Sequence, residues 1–360
     1  RAHREQFIVG GTVQRDRSDR MSPPVVVAIV PHHRGPALLE RCVASLLESE
    51  GITLQVVLVW NACPEPPPPA AAGSPRVHIV RAERPLGFSA ANNLGTRWAR
   101  SNLTAPDYYL FANNDTEFEP DAVALLVRAL EAGPRRAIAG PRIMILGAPD
   151  CLNSLGLNVT ILGDAWDEGI GRSLAEYGPL PPARPVLAVT GSALLARAPL
   201  VEELEGWSEI YDYYYEDVDL CLRARRLGWE VVHEPRALVR HALSSTAGSG
   251  SDFHLVRTWR SRILLLAVHW PAGLLLRLAP ALIVWELKNF VWSLLRAEKK
   301  QARLRVKAWG GALRSLPEAL RRRRRLRGGA AWVAMLRPAR SVPAIRLPRI
   351  GAPARAGSAP

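Results

Sequence analysis

The sequence has few of the residues that cross-link or metallate small proteins. Its 360 residues contain only four cysteines. These cysteines lie far apart, at Cys42, Cys63, Cys151 and Cys221, so neither a zinc-binding pair nor a disulfide framework is indicated. Such cysteine usage is typical of a reducing compartment.

Long apolar runs are also lacking. The most apolar segment, residues 263–295, is interrupted by Pro271, Arg277, Pro280, Glu286 and Lys288. Because a membrane-spanning helix needs about 20 predominantly apolar residues, no such helix is predicted. No apolar run is present near the N-terminus, so no signal peptide is predicted, and residues 1–22 are expected to form an arm outside the folded domain.

Acidic residues are scarce at the C-terminal end. The net charge is +14, and residues 296–360 carry 18 Lys and Arg against two acids, which leaves the remainder near −2. A near-neutral body with a basic tail favours an anionic partner. No nucleic-acid-binding motif occurs and the Trp and Leu content suits lipid better, so no nucleic acid partner is predicted. A disordered, solubilising tail is the alternative.

The apolar segment contains three tryptophans and leads into the basic tract. Apolar helices of this kind are typical of segments that lie in a membrane interface, although packing on the core is the alternative. We predict a helical, basic, membrane-associating region over residues 261–327 and a disordered tail over 328–360.

Residues 23–260 alternate between strand and helix patterns. Short apolar runs rich in β-branched residues predict strands at 25–30, 54–60, 76–80 and 108–112, with helical spacing between them. This alternation predicts an α/β fold with a mainly parallel, Rossmann-like sheet flanked by helices. Ligands of such sheets bind beyond the carboxyl ends of the strands.

Several polar groups stand where chemistry is expected. Asn113, Asn114 and Asp115 follow the 108–112 strand, where a carboxylate can bind Mg²⁺ or Mn²⁺, although ordinary turns have the same composition. Glu216, Asp217 and Asp219 open a predicted helix after a tyrosine run, and three acids exceed what a helix cap requires.

Three further patterns are weaker. Gly87 and Phe88 precede a helix containing Asn92, whose N-terminus is suited to a phosphate. Thr190, Gly191 and Ser192 are small residues that suit either an acceptor wall or tight strand packing. His241 gains meaning only if the fold places it beside Asp115.

In their order along the chain, these motifs resemble glycosyltransferase family 2, and in particular its rhamnosyltransferase-like branch. The matching elements span residues 23–260 and are VVVAIV with PHHR, VVLVWNAC, GFSAANNLG, NND, TGSALLAR, YYYEDVDLCLRARRLGW and His241. The resemblance implies a GT-A fold, a nucleotide-diphosphate sugar donor, a divalent metal and inversion at the anomeric carbon.

The resemblance also implies roles for individual residues. Asp115 and His241 would bind the metal, Asp217 would be the base, and Glu216 and Asp219 would support the acceptor side. The donor would contact residues of the first four motifs, namely His32, His33, Arg34, Trp60, Asn61, Gly87, Phe88, Asn92, Asn113 and Asn114.

Two departures from the family pattern fall in the expected nucleotide pocket. Pro31, His32 and His33 replace a usual Thr-Tyr-Asn, and Trp60 replaces a usual Asp before Asn61. A base stacked on Trp60, a changed donor, or loss of activity would each be consistent with these changes.

We therefore favour an active enzyme that moves a sugar, such as rhamnose, to a lipid-linked or polysaccharide acceptor in cell-envelope synthesis. It is expected to lie peripherally on the cytoplasmic face of an anionic membrane. The alternative is a catalytically impaired scaffold that keeps the fold.

Overall fold

The computed structural model describes residues 8–9, 12–13, 22–243, 251–296, 298–343 and 347. Most of the predicted arm at 1–22 lies outside the described residues, and so does nearly all of 344–360.

The described residues form a series of strands and helices in alternation. The strands are β1 (Ile8–Val9), β2 (Thr12–Val13), β3 (Val25–His32), β4 (Thr53–Asn61), β5 (Val77–Ala82), β6 (Tyr108–Ala112), β7 (Thr116–Phe118), β8 (Arg136–Ile145), β9 (Ala148–Ser154), β10 (Leu157–Val159), β11 (Ala165–Asp167), β12 (Arg184–Pro185), β13 (Ala193–Arg197) and β14 (Glu230–His241). The helices are α1 (Pro36–Leu47), α2 (Pro69–Ala72), α3 (Phe88–Asn102), α4 (Ala122–Glu131), α5 (Leu174–Tyr177), α6 (Ala198–Glu203), α7 (Glu216–Arg226), α8 (Asp252–His269), α9 (Ala272–Leu295) and α10 (Lys299–Arg325), followed by short 3-10 turns at Ala331–Met335 and Ala339–Ser341.

A ten-stranded sheet organises the molecule. Its order is β12-β14-β8-β13-β6-β3-β4-β5, with β7 beside β14 and β9 beside β8. Strands β6, β3, β4 and β5 run parallel to one another, and β13 joins them antiparallel to both β6 and β8. The α/β prediction is confirmed, with a mixed sheet whose first half is parallel.

Strand β3 is apolar throughout because both of its faces are covered. Val26, Ala28 and Val30 belong to the cluster under α1 and α4, whereas Val27 and Ile29 belong to the opposite cluster, under α3. Alternate residues of a strand point to opposite faces, so a continuous apolar run is what a sheet covered on both sides requires.

Helix α3 packs against this sheet at Gly95. A Cβ at this position would lie 2.6 Å from Ile29 Cγ2 and 2.8 Å from Val59 Cγ2. Only glycine permits so close an approach. The start of α3 is thereby held at the carboxyl ends of β3 and β4.

The apolar segment 263–295 divides between two environments. In α8, Leu264 and Leu265 are fully buried in the core, whereas in α9 most large apolar side chains are exposed. The predicted domain boundary at residue 260 falls inside α8. No helix in the described part of the chain is long and apolar enough to cross a membrane.

Part of the predicted disordered tail is ordered. Trp332 is only 2% exposed, and the Arg337 backbone N–H donates to the Val159 carbonyl at 2.8 Å. The prediction of disorder over 328–360 is therefore wrong for residues 328–343, because an apolar anchor and a backbone hydrogen bond fix this stretch on the core.

Candidate active site

A cavity of about 560 Å³ opens beyond the carboxyl ends of β3, β4 and β6. Its walls contain thirteen of the eighteen residues predicted from the sequence. These residues are His32, His33, Asn61, Phe88, Asn113, Asn114, Asp115, Thr190, Gly191, Ser192, Glu216, Asp217 and His241. Residues from seven separate segments thus meet at the edge of the sheet where ligands were expected.

Asp115 and His241 form the polar centre of one wall. Asp115 follows β6, and His241 ends β14, which pairs with β7 immediately after Asp115. The His241 Nε2 atom lies 3.2 Å from Asp115 Oδ1. Burial lowers the pKa of His241, but the negative charges of Asp115 and Asp167 have the larger combined effect. The pKa of His241 is therefore raised above its ordinary value.

The other nitrogen of His241 is already engaged. Its Nδ1–H donates to Asn153 Oδ1 at 2.8 Å, so its Nε2 is the atom that faces the Asp115 carboxylate, with the Asn113 amide nitrogen 3.3 Å away. Two electron-rich atoms at this separation repel unless a proton or a cation lies between them. A histidine that donates its second N–H to a protein oxygen is the arrangement common to metal ligands.

The pair fits a divalent cation. Neighbouring ligands on an octahedral Mg²⁺ ion lie about 3 Å apart, given metal–oxygen distances near 2.1 Å. The separation of 3.2 Å between Asp115 and His241 is close to that spacing. Two protein ligands are a usual number for an ion that takes the rest of its shell from substrate phosphates and water.

Asp217 faces the same cavity from the first turn of α7. Its Oδ2 accepts from the Gly191 N–H at 3.0 Å, and its Oδ1 accepts from the Val218 N–H at 2.8 Å. These two bonds orient the carboxylate and favour its ionised form. Burial acts in the opposite direction and raises the pKa of Asp217 overall.

The backbone before α7 is strained. Tyr214 and Tyr215 have φ of +66° and +72°, a left-handed conformation that side chains other than glycine rarely adopt. Such geometry costs about 1–3 kcal/mol per residue and is often found at functional sites. The turn places Tyr213, Tyr214 and the first acids of α7 in the cavity wall.

Glu216 differs from its neighbour in hydrogen bonding. Its Oε2 is buried and has no hydrogen-bond partner among the described residues. Burial, followed by the charge of Asp217, raises the pKa of Glu216 well above its ordinary value. Of the two acids, Glu216 therefore holds a proton more readily, and Asp217 is the better candidate for a base.

Asp167 is a site residue that sequence reasoning missed. It lies on the β10–β11 hairpin, where no strand was predicted, and it lines the cavity. Burial raises the pKa of Asp167 to about 7. The hydrogen bond from Ser154 lowers this pKa, and the negative charge of Asp217 raises it further. The strands of this hairpin are too short to give a periodic signal.

The hairpin is held over the cavity by two contacts. The Ala165 N–H donates to the Tyr215 hydroxyl at 3.2 Å, and Arg262 Nε lies 3.1 Å from Asp164 Oδ1. His254 and Thr258 of α8 also line the cavity. These contacts join segments about 50 to 100 residues apart in sequence, so no local pattern reveals them.

His32 and Asn114 form the opposite, donor-side wall. The Asn114 amide donates to His32 Nδ1 at 2.7 Å, while His32 Nε2 is buried and has no partner among the described residues. Burial, followed by the charge of His33, lowers the pKa of His32 to about 4, so the ring is neutral at pH 7. Its Nε2 is therefore a buried acceptor without a hydrogen bond, in a side chain that lines the cavity.

Trp60, predicted to contact the donor, lies outside the cavity, so the alternative in which a base stacks on it is not supported. Its side chain is 2% exposed, its indole N–H donates to the Cys63 carbonyl at 3.0 Å, and its ring packs on His32. Along β4 it lies on the same side as Val56 and Leu58, which belong to the apolar cluster under α1 and α4. Trp60 shapes the pocket only through His32.

Three more predicted donor residues do not line the cavity. Arg34 is exposed and offers its backbone carbonyl to Asn114. Gly87 packs on the next loop, since a Cβ there would lie 2.9 Å from the Asp212 carbonyl oxygen. The Asn92 amide donates to the Phe88 carbonyl within α3. Each position therefore supports the wall instead of forming it.

Asp219 is likewise absent from the cavity wall. It is 1% exposed, and its two oxygens meet Arg223 Nε at 2.7 Å and His269 Nε2 at 2.8 Å. Burial alone would raise the pKa of Asp219, but Arg223 and His269 outweigh it and hold it at about 2. The expected acceptor-side role is therefore corrected to a structural one that ties α7 to α8.

Replacing Asp219 with Asn is expected to destabilise the fold by about 3 kcal/mol or more, because Arg223 loses its buried counter-charge and the His269 Nε2–H loses a charged acceptor. Thermal and denaturant unfolding measure the loss. Since the folded pKa is depressed, the contribution is present above pH 4 and is lost as the pH falls towards about 2.

Asp212→Asn is the matched control for this substitution. Asp212 pairs with Arg257, but both side chains are at least one-third exposed, so its loss should cost less than about 1 kcal/mol. Equal effects of the two substitutions would contradict the structural role of Asp219.

Comparison with known proteins shows which proteins the chain resembles. Residues 27–150 match the family model described as glycosyl transferase family 2. Over 268 residues the chain is 28% identical to an N-acetylglucosaminyl-diphospho-decaprenol L-rhamnosyltransferase of Mycobacterium tuberculosis, covering 69% of this chain and 85% of that protein. Over 232 residues it is 27% identical to the O-antigen biosynthesis protein RfbC of Myxococcus xanthus, covering 62% and 18% of the two chains.

A solved structure supports the fold. The crystal structure of GalNAc-T7 with UDP, GalNAc and Mn²⁺ superimposes with a TM-score of 0.54 at 14% identity, covering 70% of this chain. The match spans 49% of the GalNAc-T7 chain, about half of its length. The superposition shows the GT-A fold alone. With the sequence matches, it describes a glycosyltransferase that uses a nucleotide-linked sugar as donor and is similar over residues 27–150 to glycosyl transferase family 2.

Proposed function

We propose that this enzyme transfers a deoxyhexose such as rhamnose, with inversion, from a nucleoside-diphosphate donor to a lipid-linked acceptor at a membrane surface. The observation that carries the proposal is the meeting of Asp115, His241 and Asp217 in one cavity. The similarity to the mycobacterial rhamnosyltransferase, whose name gives N-acetylglucosaminyl-diphospho-decaprenol as its acceptor, supports the choice of sugar and acceptor.

Asp115 and His241 would hold Mg²⁺ or Mn²⁺ at the donor diphosphate. Bound there, the cation would offset the negative charge that develops on the leaving group. The neutral His32 would use its free Nε2 to contact the nucleotide, and the amides of Asn113 and Asn114 would contact the sugar diphosphate.

Asp217 would act as the general base. The acceptor hydroxyl oxygen bonds to the anomeric carbon as the bond from that carbon to the diphosphate oxygen breaks, and the hydroxyl proton passes to the Asp217 carboxylate. The Gly191 N–H holds the carboxylate beside the small residues Thr190 and Ser192, which leave room for an acceptor sugar.

A panel of nucleoside diphosphates and nucleotide sugars tests the donor side. Binding should require Mn²⁺ or Mg²⁺, and one sugar nucleotide should be hydrolysed slowly without acceptor and transferred rapidly to an isoprenyl-diphosphate glycan. If no nucleotide binds at any metal concentration, the chain is a scaffold and this proposal fails.

Helix α9 supports the membrane location. Its exposed apolar side chains recur on one side, and they are Leu276, Ile283, Val284, Leu287, Val291, Leu294 and Leu295, with Trp285 and Trp292 beside them. A helix with this face next to a strongly basic helix suits the surface of an anionic bilayer. We infer that α9 lies in the interface and α10 faces the lipid headgroups.

The double substitution Ile283→Ser and Leu287→Ser is expected to weaken binding to anionic vesicles by at least about tenfold, because each side chain is worth about 1.5–3 kcal/mol when fully buried. Vesicle sedimentation measures the change. Both side chains are more than half exposed, so thermal unfolding should not shift. Unchanged sedimentation would exclude α9 as the membrane contact.

A further inference from the structure

A second cavity lies between the end of α9 and the start of α10. Its volume is about 410 Å³, and its walls are Phe290, Leu294, Lys299, Ala302, Arg303 and Val306. Four of these residues are apolar and two are cationic. The groove therefore offers an apolar floor beside a concentrated positive charge.

The two cations of the groove are not neutralised within the described part of the chain. Lys299 and Arg303 are exposed and one helical turn apart, so they share a face and repel each other. Neighbouring cations of α10 do have acidic partners. Lys300 Nζ lies 2.8 Å from Asp252 Oδ1, and Arg305 Nη1 lies 3.6 Å from Glu286 Oε2. An anion bound between Lys299 and Arg303 would relieve their repulsion.

A chain of contacts through the start of α8 links the helix that forms one wall of the groove to the reaction cavity. The contact of Lys300 with Asp252 joins the first turn of α10 to the first turn of α8. The next α8 residues, Phe253 and His254, pack on Tyr213 and Tyr214 with ring centroids 5.2 Å and 4.6 Å apart. Both tyrosines line the reaction cavity beside Asp217.

We propose that this groove binds the phosphate-bearing headgroup and the first apolar units of the lipid that carries the acceptor sugar. Lys299 and Arg303 would take the phosphate oxygens, and Phe290, Leu294 and Val306 would take the chain as it enters the bilayer beside α9. The inference rests on the proposed transfer to a lipid-linked acceptor. It adds the site that holds the lipid while its sugar reaches Asp217.

Charge complementarity and continuity with the exposed face of α9 favour this occupant. A soluble phosphate would not use the apolar floor, and a neutral lipid would leave both cations unpaired. A lipid with a phosphate or diphosphate headgroup satisfies both parts of the groove.

The test uses the full chain and two charge-matched double variants. Lys299→Ala with Arg303→Ala changes the groove, and Arg324→Ala with Arg325→Ala removes the same charge at exposed positions roughly 35 Å along the same helix. Binding is measured on neutral vesicles doped either with undecaprenyl diphosphate or with phosphatidylglycerol at equal total charge.

The unsubstituted enzyme should bind the undecaprenyl diphosphate vesicles at least about tenfold more tightly than the phosphatidylglycerol vesicles. The groove variant should lose this preference, and the distal variant should keep it. Inorganic diphosphate should compete poorly, because it lacks the apolar chain.

Three results would overturn the inference. They are the absence of a headgroup preference in the unsubstituted enzyme, an equal loss in the two variants, and full competition by inorganic diphosphate. Sugar transfer assays separate this outcome from failure of the proposed function. Transfer to lipid-linked acceptor with an unaffected groove variant would reject the groove alone, whereas transfer only to water-soluble saccharides would reject the proposed acceptor.

Discussion

Replacing Asp217 with Asn should lower the rate of sugar transfer by about 10²–10⁴-fold while leaving donor binding within about threefold. The amide keeps the size of the side chain but cannot accept the hydroxyl proton. Steady-state transfer and nucleotide titration measure the two effects separately. In the unsubstituted enzyme, transfer should also decline on acidification, as the raised pKa of Asp217 is crossed and the base becomes protonated.

Glu216→Gln is the matched control for this loss. Because burial and the charge of Asp217 raise the pKa of Glu216 well above its ordinary value, a neutral amide resembles the protonated form that this environment favours. Its effect on transfer should therefore be much smaller than that of Asp217→Asn. Similar losses from the two substitutions, or turnover by Asp217→Asn at the original rate, would remove Asp217 from the role of base.

Replacing Asp115 with Asn should abolish metal-dependent donor binding, with a loss of at least about 100-fold in nucleotide affinity at saturating Mn²⁺. The amide is a weaker ligand than the carboxylate, and His241 alone cannot hold a hard cation beside a diphosphate. Calorimetric titration of a nucleoside diphosphate with and without Mn²⁺ measures the loss.

The exposed carboxylate Asp121 provides a control six residues further along the chain. It lies outside the cavity, so Asp121→Asn should bind donor and metal as the unsubstituted enzyme does. Donor binding by Asp115→Asn that still depends fully on Mn²⁺ would reassign Asp115 to a turn.

The parts of the fold that follow strong periodicity were predictable. Continuous apolar runs at β3, β4 and β6 placed the parallel half of the sheet, and the carboxyl ends of those strands placed Asn113, Asn114 and Asp115. The acids around Asp217 were also predictable, because they are close together in the sequence. His241 could be assigned only through the family resemblance, because its position beside Asp115 depends on the pairing of β14 with β7.

Two misplaced residues show what the period of an element cannot decide. Trp60 shares the parity of Val56 and Leu58 along β4, but Val57 and Val59 on the other side of the strand are just as buried. Asp219 is turned by about 200° from Asp217 along α7, but it lies three residues after Glu216, which lines the cavity. Both positions therefore depend on tertiary packing.

The walls formed by the β10–β11 hairpin and by α8 could not be predicted in the same way. Asp167 lies in a strand of three residues with glycines close by, where neither a helical nor a strand period can develop. His254 reaches the cavity because α8 crosses the molecule to pack beside Tyr214. Such contacts depend on tertiary packing, which local propensity does not encode.

The bridge from Asp219 to His269 bears on how the enzyme can be shortened. The proposed base lies in the first turn of α7, and this turn is joined to the last turn of α8 by the contact between Asp219 and His269. The Trp332 ring packs against His269. Ending the polypeptide at residue 260, where the sequence suggests a border, would remove the His269 hydrogen bond to Asp219 from beneath the catalytic turn. A minimal enzyme should therefore retain residues up to at least 335, and shorter versions should be inactive through loss of folding even though every residue proposed for chemistry is still present.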